Sequence, residues 1–78
     1  MGNLSFKVER NIATISFDER GNTIELNRIM WGANPAKLDL RRWYQGKAHG
    51  GFTLSDDEAR KLLEALKGYF DEKGGDKE

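Results

Sequence analysis

Apolar and polar residues alternate along the first two thirds of the chain, as in strands that bury one face. The apolar positions are Leu4, Phe6 and Val8 in a first run and Ala13, Ile15 and Phe17 in a second. The phase shifts by one residue between the two runs. Either Glu9–Asn11 is a tight hairpin turn, or one long strand carries a bulge there, because a bulge shifts the side-chain phase by one.

A second phase shift lies in the strand predicted over residues 24–31. Ile24 and Leu26 have one parity, whereas Ile29 and Trp31 have the other. This pattern predicts a bulge at Asn27-Arg28, which would bend the strand and turn Arg28 away from the apolar side.

The third strand is predicted over residues 37–44, after a turn at Gly32–Pro35. Leu38 and Leu40 are expected to face the core, so Asp39, Arg41 and Trp43 would project from the other face.

Three further segments lack a long alternating pattern. Asp18–Asn22 predicts a turn, because Gly and Asn adopt the positive φ that turns require. Gln45–Gly51 is rich in glycine and predicts a flexible loop, and Phe52–Leu54 predicts a short last strand.

The final element is predicted to be a helix. Ser55 and Glu58 have the spacing of a capping box, and the apolar residues then follow at helical spacing. These are Ala59, Leu62, Leu63, Leu66, Tyr69 and Phe70. We therefore expect one domain over residues 1–70 and a flexible charged tail over residues 71–78.

The order of elements predicts an α+β fold, β-β-β-β-α, with a fifth strand if the first run is a hairpin. One helix on a small antiparallel sheet leaves the other sheet face uncovered. The apolar stripe is also wide for one small sheet, which predicts a homodimer interface. Its expected residues are Leu62, Leu66, Tyr69 and Phe70; alternatively, the two aromatic residues complete the core of a single chain.

Charge is balanced overall but unevenly distributed. The chain has 13 basic and 13 acidic residues, yet residues 28–47 carry five bases against one acid, whereas residues 55–78 carry eight acids against five bases. Such segregation can direct a polyanion to one part of the surface.

Catalysis and metal binding have little support. The sequence has no cysteine, a single histidine, His49, and no phosphate-binding glycine motif. We expect no enzyme activity, no cofactor and no metal site. No segment has the roughly 20 apolar residues of a membrane span, so we expect no membrane association and a cytoplasmic location.

Nucleic-acid binding has better support. Single-strand binders combine basic residues with aromatic rings on which bases stack. Arg41 and Trp43 lie two residues apart on a strand and so share a face. The candidate binding residues are Lys7, Arg28, Trp31, Lys37, Arg41, Trp43, Tyr44 and Lys47. Two alternatives remain, namely that the tryptophans pack in the core and that the open sheet face or sheet edge binds a partner protein.

The blocks IELNRIMW, LDLRRW and FTLSDDEARKLLEAL resemble the single-stranded DNA-binding domain of the positive cofactor four family of transcriptional coactivators. The resemblance covers residues 24–66 and is strongest to the small bacterial YdbC-like branch. It implies a curved four-stranded sheet, a homodimer formed through the helices, and binding of single-stranded DNA with little sequence preference. In a bacterium the location would be the cytoplasm or nucleoid.

The resemblance also implies roles for single residues. Trp31 corresponds to an aromatic stacking position, Arg41 to the arginine of the third strand, and Trp43-Tyr44 to the aromatic pair that ends it. The chain departs from the family at His49-Gly50-Gly51, where a Lys-Gly pair is common, and this weakens one expected phosphate contact. It also lacks the coactivator's basic, serine-rich N-terminal region, so eukaryotic coactivator activity is not expected.

Overall fold

The computed structural model describes residues 5–72 and contains one four-stranded antiparallel sheet followed by a helix. The strands are β1 (Phe6–Phe17), β2 (Asn22–Trp31), β3 (Lys37–Tyr44) and β4 (Lys47–Leu54), and the helix is α1 (Asp56–Glu72). Each strand pairs with its neighbours in sequence, in the order β1-β2-β3-β4. The predicted β-β-β-β-α fold is confirmed.

The first run of the chain is one long strand rather than a hairpin. Its pairing with β2 shifts between Val8 and Arg10, which decides for the bulge over the hairpin turn, and shifts again between Asn11 and Ala13 and between Thr14 and Ser16. At each shift β1 contains the extra residue. Because bulges bend a strand and increase its twist, β1 is the strongly coiled edge of the sheet.

The bulge predicted at Asn27-Arg28 is wrong. β2 and β3 pair without interruption from Asn22 opposite Tyr44 to Ile29 opposite Lys37. The apolar phase changes because different parts of β2 bury opposite faces, not because the backbone slips. Arg28 consequently lies on the same face as Leu26 and is not turned away from it.

The two faces of the sheet are best named by what covers them. We call the face that α1 approaches the helix face and the other the aromatic face. The helix face carries Ile24, Leu26 and Arg28 of β2, Leu38 and Leu40 of β3, and Phe52 and Leu54 of β4. The aromatic face carries Thr23, Glu25, Asn27, Ile29 and Trp31 of β2, Lys37, Asp39, Arg41 and Trp43 of β3, and Phe6 and Val8 of β1.

The sheet curves strongly toward the aromatic face. Trp31 lies eight residues beyond the partner of Trp43 along β2, about 26 Å on a flat strand. Nevertheless, the Phe6 ring contacts both indoles, at centroid distances of 5.2 and 5.7 Å. This curvature, and not a covering helix, buries Ile29, Asn27 and Asp39 completely.

The segment predicted as a glycine-rich loop is largely strand. Only Gln45 and Gly46 form the turn, both with positive φ, as a two-residue type I′ hairpin requires. β4 then begins at Lys47, not at Phe52 as predicted. The β1–β2 turn also differs in detail, since Gly21 has positive φ but Asn22 already begins β2.

The helix begins as predicted, with a capping box. The Glu58 amide donates to Ser55 Oγ (3.1 Å), and the Ser55 amide donates to Glu58 Oε1 (2.8 Å). The helix continues to Glu72, so residues 71 and 72 are helical and not part of a tail. The rest of the predicted tail lies outside the described residues.

Candidate nucleic-acid interface

Three aromatic rings form a cluster on the aromatic face. Phe6 lies against both Trp31 and Trp43, with interplanar angles of 43° and 52°. Phe6 is 40% exposed, Trp31 is half-buried, and Trp43 is only 6% exposed. Phe6 and Trp31 are register partners, but strand pairing places Trp43 far from both on a flat sheet, so the contact with Trp43 depends on the curvature.

Arg41 lies over this cluster and is held by several partners. Its guanidinium carbon is 4.9 Å from the centre of the Trp31 ring, within the range of a cation–π interaction. Its Nε and Nη2 donate to the two carboxylate oxygens of Asp39 at 2.6 and 2.8 Å, and Nη1 donates to the His49 carbonyl at 2.9 Å. Three of the five guanidinium N–H groups are thus used within the chain.

Asp39 is the fully buried partner of this arginine. Its Oδ2 also accepts a hydrogen bond from the Thr53 hydroxyl, at 3.1 Å. A carboxylate without solvent requires such pairing. Asp39 therefore fixes Arg41 over Trp31 and limits how far the guanidinium can reach outward.

A second polar chain crosses the same face next to this ion pair. Asn11 donates to Asn27 Oδ1 at 2.7 Å, and Asn27 Nδ2 donates to Glu25 Oε1 at 3.1 Å. The Thr23 hydroxyl donates to Glu25 Oε2 at 2.7 Å. These bonds hold the Glu25 carboxylate in one orientation.

A groove of about 310 Å³ opens beside the cluster. Its aromatic and apolar wall consists of Phe6, Val8 and Trp43, and its polar wall includes Thr23, Glu25 and Gln45. We call it the Glu25 groove. Within the described part of the chain, no lysine or arginine lines it.

The structure brings together three of the eight predicted binding residues. Trp31, Arg41 and Trp43 meet at the cluster, and Lys37 lies on the same face at the exposed start of β3. This shared face is what the alternation in β3 predicted.

The other four predicted residues lie elsewhere. Lys7 and Arg28 belong to the helix-face parity, and Arg28 Nε bonds to Glu9 Oε1 at 2.9 Å. Tyr44 and Lys47 flank the β3–β4 turn, where the Tyr44 ring meets His49 edge-on at 6.2 Å. The eight predicted binding residues are therefore split between two faces and a turn.

Trp43 is not the exposed stacking ring that its candidate binding role requires, and the alternative of core packing describes it better. At 6% exposure the ring is packed against Phe6 and is not an open platform. Alternation along β3 gives the correct face, but the curvature of the sheet determines the accessibility of that face. Trp31, half-buried on the same cluster, is the more accessible indole.

Sequence reasoning missed Phe6, Glu25 and Asp39 as parts of this site. Alternation places Phe6 only on an apolar strand face, and no motif gives the two carboxylates a role. The spacing Glu25-x-Asn27 and Asp39-x-Arg41 does place polar pairs on one face of each strand. That these pairs become neighbours depends on the register of β2 with β3.

The apolar stripe of α1 is incompletely covered by its own sheet. Ala59, Leu62, Leu63 and Leu66 lie beside Leu26, Leu38 and Leu54 around a gap of about 200 Å³. The predicted interface residues Leu62, Leu66, Tyr69 and Phe70 are 39%, 46%, 50% and 62% exposed.

Two features are absent from residues 5–72. This part of the chain has no cluster of three or more histidine or acidic side chains suited to a metal ion. None of its helices has the length and apolar character to cross a membrane.

The fold and this face define an α+β protein with a coiled four-stranded sheet, an aromatic concave surface and a single C-terminal helix. No known family model matches the chain. A protein of Treponema pallidum (strain Nichols), described as uncharacterized, is 37% identical over 63 residues, which cover 78% of this chain and 74% of that protein. The chain belongs to the same family as this treponemal protein.

Proposed function

We propose that the protein binds single-stranded nucleic acid, primarily DNA, as a non-enzymatic homodimer acting in transcription regulation, DNA replication or repair. The observation that carries this proposal is the cluster of Phe6, Trp31 and Trp43 with Arg41 on a sheet face that α1 does not cover. The resemblance of residues 24–66 to the positive cofactor four family supports it independently.

Base stacking would occur first on Trp31 and Phe6. Both rings are partly accessible, and a stacked base contributes about 1–3 kcal/mol without requiring a particular sequence. Trp43 would support Phe6 from behind. The indole N–H groups of Trp31 and Trp43 are buried without a hydrogen-bond partner among the described residues, and an unsatisfied buried donor costs about 1–3 kcal/mol. A small rearrangement on binding could supply acceptors to them.

Phosphates would be contacted around the cluster rather than within it. Arg41 retains two N–H groups after its three bonds to Asp39 and His49. Lys37 is exposed at the start of β3 on the same face, whereas Lys47 is exposed beside the β3–β4 turn and outside this face. A short basic rim around aromatic rings fits a flexible single strand better than a rigid duplex.

The homodimer in this proposal would form through α1. Its apolar stripe leaves five large apolar side chains exposed, and a monomer gains nothing from leaving them in water. A second copy offers an identical stripe, as a twofold interface requires.

The central test is Trp31→Ala, measured by anisotropy with a labelled oligo-dT of about 16 nucleotides, together with Trp43 fluorescence. We expect the variant to lose about 1–3 kcal/mol of binding free energy. Phe52→Ala is the matched control, because Phe52 is a 70% exposed ring on the helix face. It should bind as the parent does when both have the same oligomeric state.

Parallel titrations with duplex DNA and single-stranded RNA of the same length establish the preferred nucleic acid. Binding should weaken with salt, with a log–log slope of about −0.7 per phosphate contacted on a single strand. Equal affinities of the parent and Trp31→Ala would refute stacking on Trp31. No binding of any nucleic acid at low salt would refute the proposed function and leave docking of a partner protein as the alternative.

A further inference from the structure

An acidic side chain lies where the proposed function would place a polyanion. Glu25 is opposite Arg41 in the β2–β3 register, but the guanidinium of Arg41 bonds to Asp39 instead. The Asn27 amide bonds one oxygen of the Glu25 carboxylate and the Thr23 hydroxyl bonds the other, and Glu25 lines the Glu25 groove. A carboxylate repels phosphate, so a role in nucleic-acid binding must involve the bases.

Glu25 can act only as an acceptor in its ionised form. A carboxylate has about four acceptor positions, and the Asn27 amide and the Thr23 hydroxyl use one on each oxygen. Each carboxylate oxygen thus keeps a free acceptor position. The hydrogen bonds from Asn27 and Thr23 also fix the plane of the carboxylate, and a ligand would bind the two oxygens in that plane. Such a group selects a ligand edge with two adjacent N–H donors.

The groove has the size and walls for one nucleobase. Its volume of about 310 Å³ is at the small end of ligand pockets, which span about 300–1,000 Å³. Phe6 lines it with a partly exposed aromatic ring, Trp43 lines it with a nearly buried one, and Glu25 lines it with a carboxylate. Stacking combined with hydrogen bonds to the Watson–Crick edge is how proteins read unpaired bases.

The donor requirement distinguishes the four bases. Guanine presents N1–H and N2–H side by side, and the two groups match the two oxygens of a carboxylate. Adenine and cytosine present one amino group beside a ring acceptor, which the carboxylate repels. Thymine presents one N–H between two carbonyl oxygens.

We propose that the Glu25 groove is a guanine-preferring base pocket and that Glu25 is its specificity-determining residue. This inference rests on the proposed function and adds one preferred base to a strand that is otherwise bound with little sequence preference. Its position beside the aromatic cluster would let a base next to the guanine stack on Trp31.

The test compares oligo-dT strands of about 16 nucleotides in which the central residue is dT, dA, dC, dG or deoxyinosine. The parent should bind the dG strand roughly 5- to 100-fold more tightly than the dT strand, the range for a bidentate base contact. The dA and dC strands should fall between them. Deoxyinosine lacks the N2 amino group and should lose most of the gain, which tests the contact without any mutation.

Glu25→Gln replaces one acceptor oxygen with an NH₂ group at nearly constant size. It should remove the dG preference, so that the ratio of dG-strand to dT-strand affinity falls to about one. Glu19→Gln is the control, since it removes an equal charge from the exposed β1–β2 turn. The control should keep the dG preference.

The outcomes separate this inference from the function on which it rests. Equal binding of dG and dT strands by the parent overturns the guanine pocket and leaves single-strand binding intact. A dG preference that survives in Glu25→Gln overturns the role of Glu25. Failure of all strands to bind overturns the proposed function itself.

Discussion

At the scale of single residues, the tertiary partners of a side chain decide its role. The sequence predicts Arg41 as a phosphate-binding residue. In the structure, however, Asp39 holds its guanidinium over Trp31 with two charge-assisted hydrogen bonds. Removing one member of such a buried pair typically costs about 3–5 kcal/mol, because the other charge is left unpaired. Arg41 is therefore a structural residue first and a candidate phosphate contact second.

Asp18 gives a residue-scale prediction for pH dependence. Hydrogen bonds, foremost from the side chain and then from the backbone of Asn22, lower the pKa of this carboxyl from its ordinary value. A carboxyl whose pKa is lower in the folded than in the unfolded state stabilises the fold at any pH above its unfolded-state pKa. This stabilisation is lost as the pH falls through the folded-state pKa. The contribution should therefore be complete at neutral pH, decline below about pH 4 and disappear below the folded-state pKa.

The measurement is urea unfolding of the parent and Asp18→Asn between about pH 7 and pH 3. The parent should be the more stable protein at neutral pH, and the difference should shrink on acidification. A difference that is constant across this range would show that the carboxylate charge does not stabilise the β1–β2 turn.

At the scale of elements, β4 shows how a glycine-rich sequence can form a strand. Its composition predicted a loop, but the backbone of Gly51 runs so close to β3 that no side chain fits. The structure thus requires glycine at Gly51 but not at Gly50. At Gly51 the reason is close approach of two backbones, whereas a Cβ at Gly50 would meet open space.

Gly51→Ala should destabilise the protein strongly, and Gly50→Ala is its matched control. A Cβ on Gly51 would overlap the Cβ and Cα of Arg41 and the Leu40 carbonyl oxygen, which cannot move without displacing β3. Overpacking of this kind costs about 1–3 kcal/mol or more. Chemical unfolding should show this loss for Gly51→Ala and a change within about 0.5 kcal/mol for Gly50→Ala. Similar losses in both variants would contradict the close approach.

At the scale of the whole molecule, a single chain is extended for its length. The radius of gyration is 14.9 Å, against about 11.5 Å for a compact domain of this size. No residue of α1 is buried, and its apolar stripe is the surface that a second copy would cover.

Light scattering tests this association directly. The parent should have twice the 8.9 kDa mass of one chain. Leu66→Lys should shift the protein toward monomer and lower its stability, because Leu66 lies within the apolar stripe and is 46% exposed in a single chain. Glu64→Lys, which places the same side chain outside the stripe, should remain dimeric. A parent that stays at the single-chain mass at high concentration would refute the homodimer.

Local patterns in the sequence determined much of the fold. Alternation identified β1, β2 and β3 and an irregularity near Glu9, either a hairpin turn or a bulge, and the Ser55–Glu58 spacing identified the start of α1. These features depend on residues that are close together in the chain, so they can be predicted from the sequence alone. The alternation in β3 also placed Arg41 and Trp43 on one face.

Only the tertiary structure decided which groups meet and which remain accessible. Three bulges coil β1 and curve the sheet, so Phe6 reaches both indoles and Trp43 becomes buried. The β2–β3 register then places Glu25 beside the groove. Both results depend on pairing between distant strands, in which a one-residue slip would move every side chain to the other face. Alternation within one strand carries no information about that pairing.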